Sequence, residues 1–402
     1  MSPKTVILFL ATFQVILSLC KQISESPGLS AWLANPNEPI ANGAFSFVFK
    51  ANFVLDAKTN QSQDYALKYI KTEKSQWAKP RESKKNKQEL SKIEKEEDIS
   101  PKNDIAENYQ LALQMKESDS EDKEFKQEIE NLEFLSEKSN SDLHIVKYHG
   151  CFALGENRII LVQDFLSETV DHRIMAVKNP FKSLPLSLVV RFMAEQILDH
   201  LAYMHDAGVA HCDFKGENLM FVHFYEEVDI NDHDKQLTML QTRLIDFGFS
   251  STKLCGDAFN WWGTPGFMPP ESFDKRRLQP GMHFKQDIFA AGITLIDVLQ
   301  RRMSDASEVY SASRRASQTS FKQSEHFEKA FLSFKQQLLN HDSQSQKMIV
   351  QKEKLIEVLY KMVELRPKER SDIATSSAEL KEISIVLREI EVSEIKQQII
   401  AI

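Results

Sequence analysis

Apolar residues in this chain change their period, and the change divides it. In residues 38–71 and again in 144–165 they alternate, with aromatic and β-branched enrichment, as strands do. In 186–205, 287–301, 327–360 and from 374 onward they recur at helical spacing instead. Phe125, Ile129, Leu132 and Leu135 place one helix among the strands. Five strands with one helix, followed by helices alone, predict an α+β chain: a small sheet lobe and a larger helical lobe. A length of 402 residues is enough for two to three compact units at about 150 residues each.

Three stretches do not fit either period. Residues 72–124 are Lys, Glu, Ser and Asp with few large apolar side chains, too little apolar area to order the segment, and read as a charged, largely disordered insertion. Further insertions are expected at 225–241 and, in a Ser-rich flexible stretch, at 303–323. The expected boundaries are a linker at 21–36, a sheet lobe at 37–166, a helical lobe at 167–387 and a helical tail at 388–402. Residues 1–20 hold Lys4, a 14-residue apolar run and small residues at Ser18 and Cys20, the layout of a secretory signal peptide. That run is short for a bilayer-spanning helix, and no other segment is apolar enough to span. The expectation is entry to the secretory pathway, secreted or lumenal; the alternative is a protein anchored by an uncleaved signal segment.

Charge and cysteine narrow the function. Lys plus Arg number 50 against 58 Asp plus Glu, a net charge of −8, so nothing global attracts nucleic acid. Removal of residues 1–20, with Cys20, would leave Cys151, Cys212 and Cys255, an odd set without CxxC or zinc spacing, and no disulfide framework is expected. Asn60-Gln61-Ser62 is a sequon, relevant only on the secretory route. The acidic stretch around Asp229 lacks the glycine and ligand spacing of an EF-hand loop and reads as a solvated loop.

The chemistry concentrates in two short segments. His211-Cys212-Asp213-Phe214-Lys215-Gly216-Glu217-Asn218 is followed by Leu244-Ile245-Asp246-Phe247-Gly248, each with the cast of a loop between short strands. Two Asp, one Lys and one Asn form the set that phosphoryl transfer requires: a carboxylate for the nucleophile's proton, a cation for the transferring group, and oxygen donors for Mg²⁺. Glu128 lies on the first helix beside Ile129 and Leu132, where an unpaired carboxylate is costly, so a cationic partner is implied. Lys68 is flanked by apolar residues on a strand, and Gly43 sits in a strand turn where backbone N–H groups can approach phosphate oxygens.

Over residues 39–387 these motifs, in order, resemble the eukaryotic protein kinase family, and the resemblance implies a bilobal kinase fold. It casts Asp213 as catalytic base and Lys215 as the phosphate lysine, with Asn218 and Asp246 holding Mg²⁺. ATP would meet Ala41, Gly43, Ser46 and Val48, the pair Lys68 and Glu128, and the hinge from Asp164 to Leu166 beyond a gatekeeper at Gln163. Gly263-Thr264-Pro265 to Glu271 resembles the substrate-side loop, with Glu271 expected to pair with Arg370. Lys215 and Thr264 resemble the Ser/Thr kinases, which implies protein substrates bearing Ser or Thr.

Departures leave a second class open. Only one of the three nucleotide-loop glycines is kept, Ala41 and Ser46 standing for the others, so the alternative is a secreted pseudokinase that binds nucleotide or a partner without phosphoryl transfer. Cys212 stands where the family carries an arginine. Its loss implies a catalytic loop that needs no activation-loop phosphate and weakens the case for Ser250, Ser251 and Thr252 as a switch. Ser304 and Ser317 follow Arg pairs and resemble basophilic phosphoacceptor sites. Oligomeric state is not legible.

Overall fold

Strand residues that alternate between faces build a five-stranded antiparallel sheet in the computed structural model. It describes residues 40–42, 46–53, 63–71, 123–153, 158–177, 179–222, 240–252, 263–273, 281–318, 324–342 and 345–400. The signal segment and linker, Gly43, the sequon, Cys255 and most of the 72–124 and 225–241 stretches lie outside the described residues. These divide into two units. One takes in the described residues up to Ile129 plus Lys147–Phe165; the other takes in Glu130–Val146 and everything described from Leu166 onward.

In the smaller unit, β1 (Ala41–Asn42), β2 (Ser46–Phe53), β3 (Gln63–Lys71), β4 (Tyr148–Ala153) and β5 (Arg158–Asp164) are ordered β1-β2-β3-β5-β4. Tyr65, Leu67 and Tyr69 of β3 are all buried, and Phe49 and Ala51 of β2 pair with Leu67 and Tyr65 on the same face. Register then fixes the other face. Ala41 pairs with Val48, Val48 with Lys68 and Lys68 with Leu161, a single row across four strands. Cross-strand partners point the same way, and Ser46, two residues from Val48, shares that face. The helix α1 (Lys123–Ser136) starts within the stretch read as an insertion, so Lys123 and Glu124 belong to it. The strand expected from His144 begins only at Tyr148, because residues 141–144 close a short helical turn, α2 (Ser141–His144).

The larger unit is organised around α6 (Met282–Met303), preceded by α3 (Val170–Met175), α4 (Leu186–Phe192) and α5 (Asp199–Asp206). Every residue of α6 from Gln286 to Gln300 is buried, as its apolar circumference predicts. The helix expected at 186–205 is interrupted between α4 and α5 by a π-helical turn over Met193–Leu198. Four short strands, β6 (Val209–Ala210), β7 (Leu219–Phe221), β8 (Thr242–Leu244) and β9 (Ser251–Thr252), pair as β6 with β9 and β7 with β8.

Helix α7 (Glu308–Gln318) corrects the reading of 303–323 as flexible. Val309, Ala312 and Ala316 recur at helical spacing and are buried, a periodicity masked by the Ser and Arg between them. Ser304 is partly buried and donates to the carbonyls of Gln300 and Ala306. The helix expected over 327–360 is two, α8 (Ser324–Asn340) and α9 (Gln346–Met362). Asp342 turns the chain at φ 56° and Ser345 caps α9, its Oγ accepting from Met348 N. Finally α10 (Ile373–Ile400) runs unbroken through the boundary drawn at 387/388. It docks on α4, where the Glu391 carboxylate accepts from Ser187 N and Oγ. Cys151 and Cys212 are both buried. Among the described residues no helix is long and apolar enough to cross a membrane.

Candidate active site

Lys68 and Glu128 meet in the smaller unit. Nζ lies 2.5 Å from Oε1, and the two side chains are only 11% and 4% exposed. The cationic partner that a carboxylate beside Ile129 and Leu132 demands is therefore a lysine 60 residues away, delivered by β3. Ala41, Ser46 and Val48 share the sheet face of Lys68 through the register described above. Gln163 and Asp164 close β5. Asp164 donates its N–H to Lys147 O (3.0 Å), and its carboxylate accepts from His149 Nε2 (2.6 Å) and Gln63 Nε2 (3.4 Å). Leu166 opens the larger unit and is buried.

In the larger unit the remaining candidates converge on one carboxylate. Asp213 follows β6, is 7% exposed, and its Oδ1 accepts from both the N–H and the hydroxyl of Thr264, each at 2.8 Å. Lys215 Nζ lies 3.2 Å from Asp213 Oδ2, donates to Thr264 Oγ1 at 2.7 Å and pairs with Glu217 at 3.0 Å. Burial opposes the Lys215 charge, but Asp213 and Glu217 together outweigh it and hold the ammonium above its usual range. Asn218 Nδ2 donates to Asp213 O (2.8 Å) and to Asp213 Oδ2 (3.3 Å). The β7–β8 ladder brings Asp246 to this end of the loop: Leu219 pairs with Leu244, and Ile245 N donates to Asn218 O at 2.9 Å. Asp246 itself turns at φ 64°.

The loop is held by Asp287 of the segment Asp287-Ile288-Phe289-Ala290-Ala291-Gly292, whose sequence resembles the buried helix anchor of the protein kinases. Asp287, fully buried in α6, accepts from His211 N (2.7 Å), Cys212 N (2.8 Å) and His205 Nε2 (2.9 Å). Those bonds hold Cys212 at φ 65°, a left-handed conformation uncommon for a residue with a side chain. A lone carboxylate entering an apolar helical run was the available signal, since it must find donors. Burial pushes the Cys212 thiol well above its usual pKa, so the group next to Asp213 is neutral. Gly263, at φ 148°, lets the Thr264 segment approach: a Cβ there would stand 3.1 Å from Cys212 O. Beyond it, Glu271 and Arg370 form a two-pronged pair at 2.5 and 2.8 Å, both essentially inaccessible. No group of three or more His, Cys, Asp or Glu suited to a metal occurs among the described residues.

A small antiparallel sheet lobe with one helix and a larger helical lobe, carrying these residues, define the bilobal kinase fold. Residues 103–379 match the family model described as protein kinase domain, more than half of the chain, and the chain belongs to that family. The chain is 26% identical over 181 residues to serine/threonine-protein kinase dst2 of Dictyostelium discoideum, 45% of this chain and 14% of that protein. It is 32% identical over 178 residues to MAP3K epsilon protein kinase 2 of Arabidopsis thaliana, 43% and 11% of the two lengths. To mitogen-activated protein kinase kinase kinase 1 of the same plant it is 28% identical over 155 residues, 39% and 22%. The chain thus matches less than a quarter of each of these relatives. Lys68 and the strands β1–β3 lie before the matched residues, and it is the fold that joins Lys68 to Glu128.

Proposed function

We propose that the chain is an ATP- and Mg²⁺-dependent protein kinase acting on Ser or Thr of protein substrates. The observation that carries this reading is the convergence of Thr264, Lys215 and Asn218 on the Asp213 carboxylate, 7% exposed at the end of β6. Asp213 orients the substrate hydroxyl and takes its proton as the oxygen attacks the terminal phosphorus of ATP and the bond to the ADP oxygen breaks, a role worth about 10²–10⁴ in rate. Lys215, kept charged by its carboxylate neighbours, offsets negative charge on the group in transfer. Lys68, held by Glu128, is suited to the α and β phosphates.

Mg²⁺ suits the donors present. Asn218 spends its amide nitrogen on Asp213, which leaves the amide oxygen, with the Asp246 carboxylate, for a hard cation that completes its shell with phosphates and water. When bound, the ion neutralises phosphate charge. Independence from activation-loop phosphorylation is part of the proposal. It is supported by a neutral Cys212 beside Asp213, and by Ser250, which is 1% exposed and donates from Oγ to His211 O. Entry to the secretory pathway rests on the signal-like pattern of residues 1–20 and is tested by the N-terminus of the mature protein: a chain beginning at Met1 refutes cleavage.

The deciding experiment incubates the full chain with Mg-ATP and mixed Ser/Thr peptides, alongside Asp213→Asn. Phosphate transfer at least about 10²-fold above the variant is expected, unchanged after phosphatase treatment. Transfer equal to that of the variant, in a protein that Mg-ATP does not stabilise thermally, sinks the kinase reading and favours a partner-binding module.

A further inference from the structure

Helix α10 carries two apolar stripes, and only one is used. Leu380, Ile383, Leu387 and Ile390 are buried against the body of the larger unit, at spacings of three and four residues. Ile385, Val392, Ile395 and Ile399 form a second stripe, and they are 61%, 42%, 55% and 66% exposed among the described residues. Two residues along a helix is about 200° around its axis, so Ile385 faces away from Ile383. Ile385, Val392 and Ile399 repeat every seven residues, and Arg388 and Ile395 fall three after the first two. That is the seam of a coiled coil. A helix that is apolar on its outer face as well as its inner one has more sticky surface than a monomer explains.

We propose that this stripe pairs with the same stripe of a second copy of the chain, in an antiparallel two-helix interface. Charge and register choose the occupant and its direction. When Val392 of one copy is laid against Ile395 of the other, antiparallel, Glu389 lies on the same flank of the seam as Lys396 of the second copy and about 3 Å from it along the axis, within reach of an ion pair, and the two-fold axis repeats the match. Both residues are exposed and have no ion pair among the described residues. The same alignment sets Arg388 beside Ile399 of the second copy, where its stem can cover apolar surface. A parallel alignment sets Arg388 against its own copy, two cations in one seam position. Near Ile385 and Arg388 the stripe opens onto a groove of about 380 Å³ between α4 and α10, with Leu188 in its wall, which gives the far turns of the second helix a place to rest. The stripe is about two heptads long, short for an independent coiled coil, so a dissociation constant of about 1–100 μM is expected.

Sedimentation equilibrium of the full chain up to about 0.1 mM tests this. The wild type should dimerise and Val392→Glu should be monomeric. Glu389→Lys should also be monomeric, as should Lys396→Glu, while a mixture of the two should form a one-to-one heterodimer, because each Lys then faces a Glu. These positions are remote in sequence from every candidate active-site residue, so transfer activity of the monomeric variants reports folding. A monomeric wild type overturns the proposal, as does a dimer that survives Val392→Glu. Dimers indifferent to the charge exchange refute the antiparallel register. A monomer that loses thermal stability on Val392→Glu would assign the stripe to an intramolecular cover, and would equally overturn it.

Discussion

Asp171 offers a quantitative test of how the larger unit handles charge. It sits in the first turn of α3, half-buried, and its carboxyl is pushed from 3.8 up to about 6, chiefly by burial, with Asp297 and Glu217 adding repulsion that Arg301 and Lys215 only partly offset. With the folded pKa above the unfolded one, the stability this group contributes is fully present below about 3.8 and is lost as pH rises through about 6. A shift of about two units corresponds to about 3 kcal/mol, and screening by the solvent that still reaches a half-buried group reduces that to about 1–2 kcal/mol. Asp171→Asn cannot ionise, so it should be more stable than wild type at about pH 8 and equal to it at about pH 3.5. The helix N-terminus favours the ionised form by about 0.3–1 kcal/mol, which narrows the gain without reversing it. For a unit of this size the expected gain in Tm is about 2–6 °C, read by helical circular dichroism at the two pH values. Equal shifts at both, or a variant less stable than wild type at pH 8, would refute the reasoning.

Two further substitutions probe the packing behind the site. Arg370→Met leaves Glu271 as a buried, unpaired carboxylate and should cost about 3–5 kcal/mol in urea unfolding, most of it recovered when Glu271→Leu is added; a loss under about 1 kcal/mol would show that water reaches the pair. Gly292→Ala places a Cβ 2.6 Å from Val363 Cγ1 and 3.0 Å from Met362 Cβ. Overpacking of about 1–3 kcal/mol should outweigh the roughly 1 kcal/mol that alanine gains in a helix, and Val363→Ala should relieve it. A stabilised Gly292→Ala would mean that α6 and α9 are free to move apart.

Much of the candidate site could be proposed before any fold was known, and what could be proposed shares a cause. Glu128 announced a cation because burial without one is costly, and Asp213, Lys215, Asn218 and Asp246 lie in short segments whose order carries their chemistry. What escaped are the distant contacts that no motif implied, unlike Lys68 with Glu128 and Glu271 with Arg370. Thr264 reaches Asp213 from 51 residues away, and Asp287 reaches His211 from 76. Such bonds depend on where turns return the chain, and a linear pattern does not encode them. The helix at 308–318 escaped for a different reason: three small or branched apolar residues suffice to bury one face, and serines between them lower the mean hydropathy without breaking the period.

By itself, then, the amino-acid order determined the class of fold, because strand and helix periods are local properties of side chains and appear in separate parts of the chain. It also determined which residue types were available for chemistry. Tertiary structure alone decided that Thr264 closes on Asp213 and that Asp287 holds Cys212 in a left-handed turn. It decided, too, which of the two apolar stripes of α10 would be buried, since both have helical spacing and only packing against α4 distinguishes them. Short-range preferences choose the elements; burial and hydrogen bonding between remote segments choose their faces.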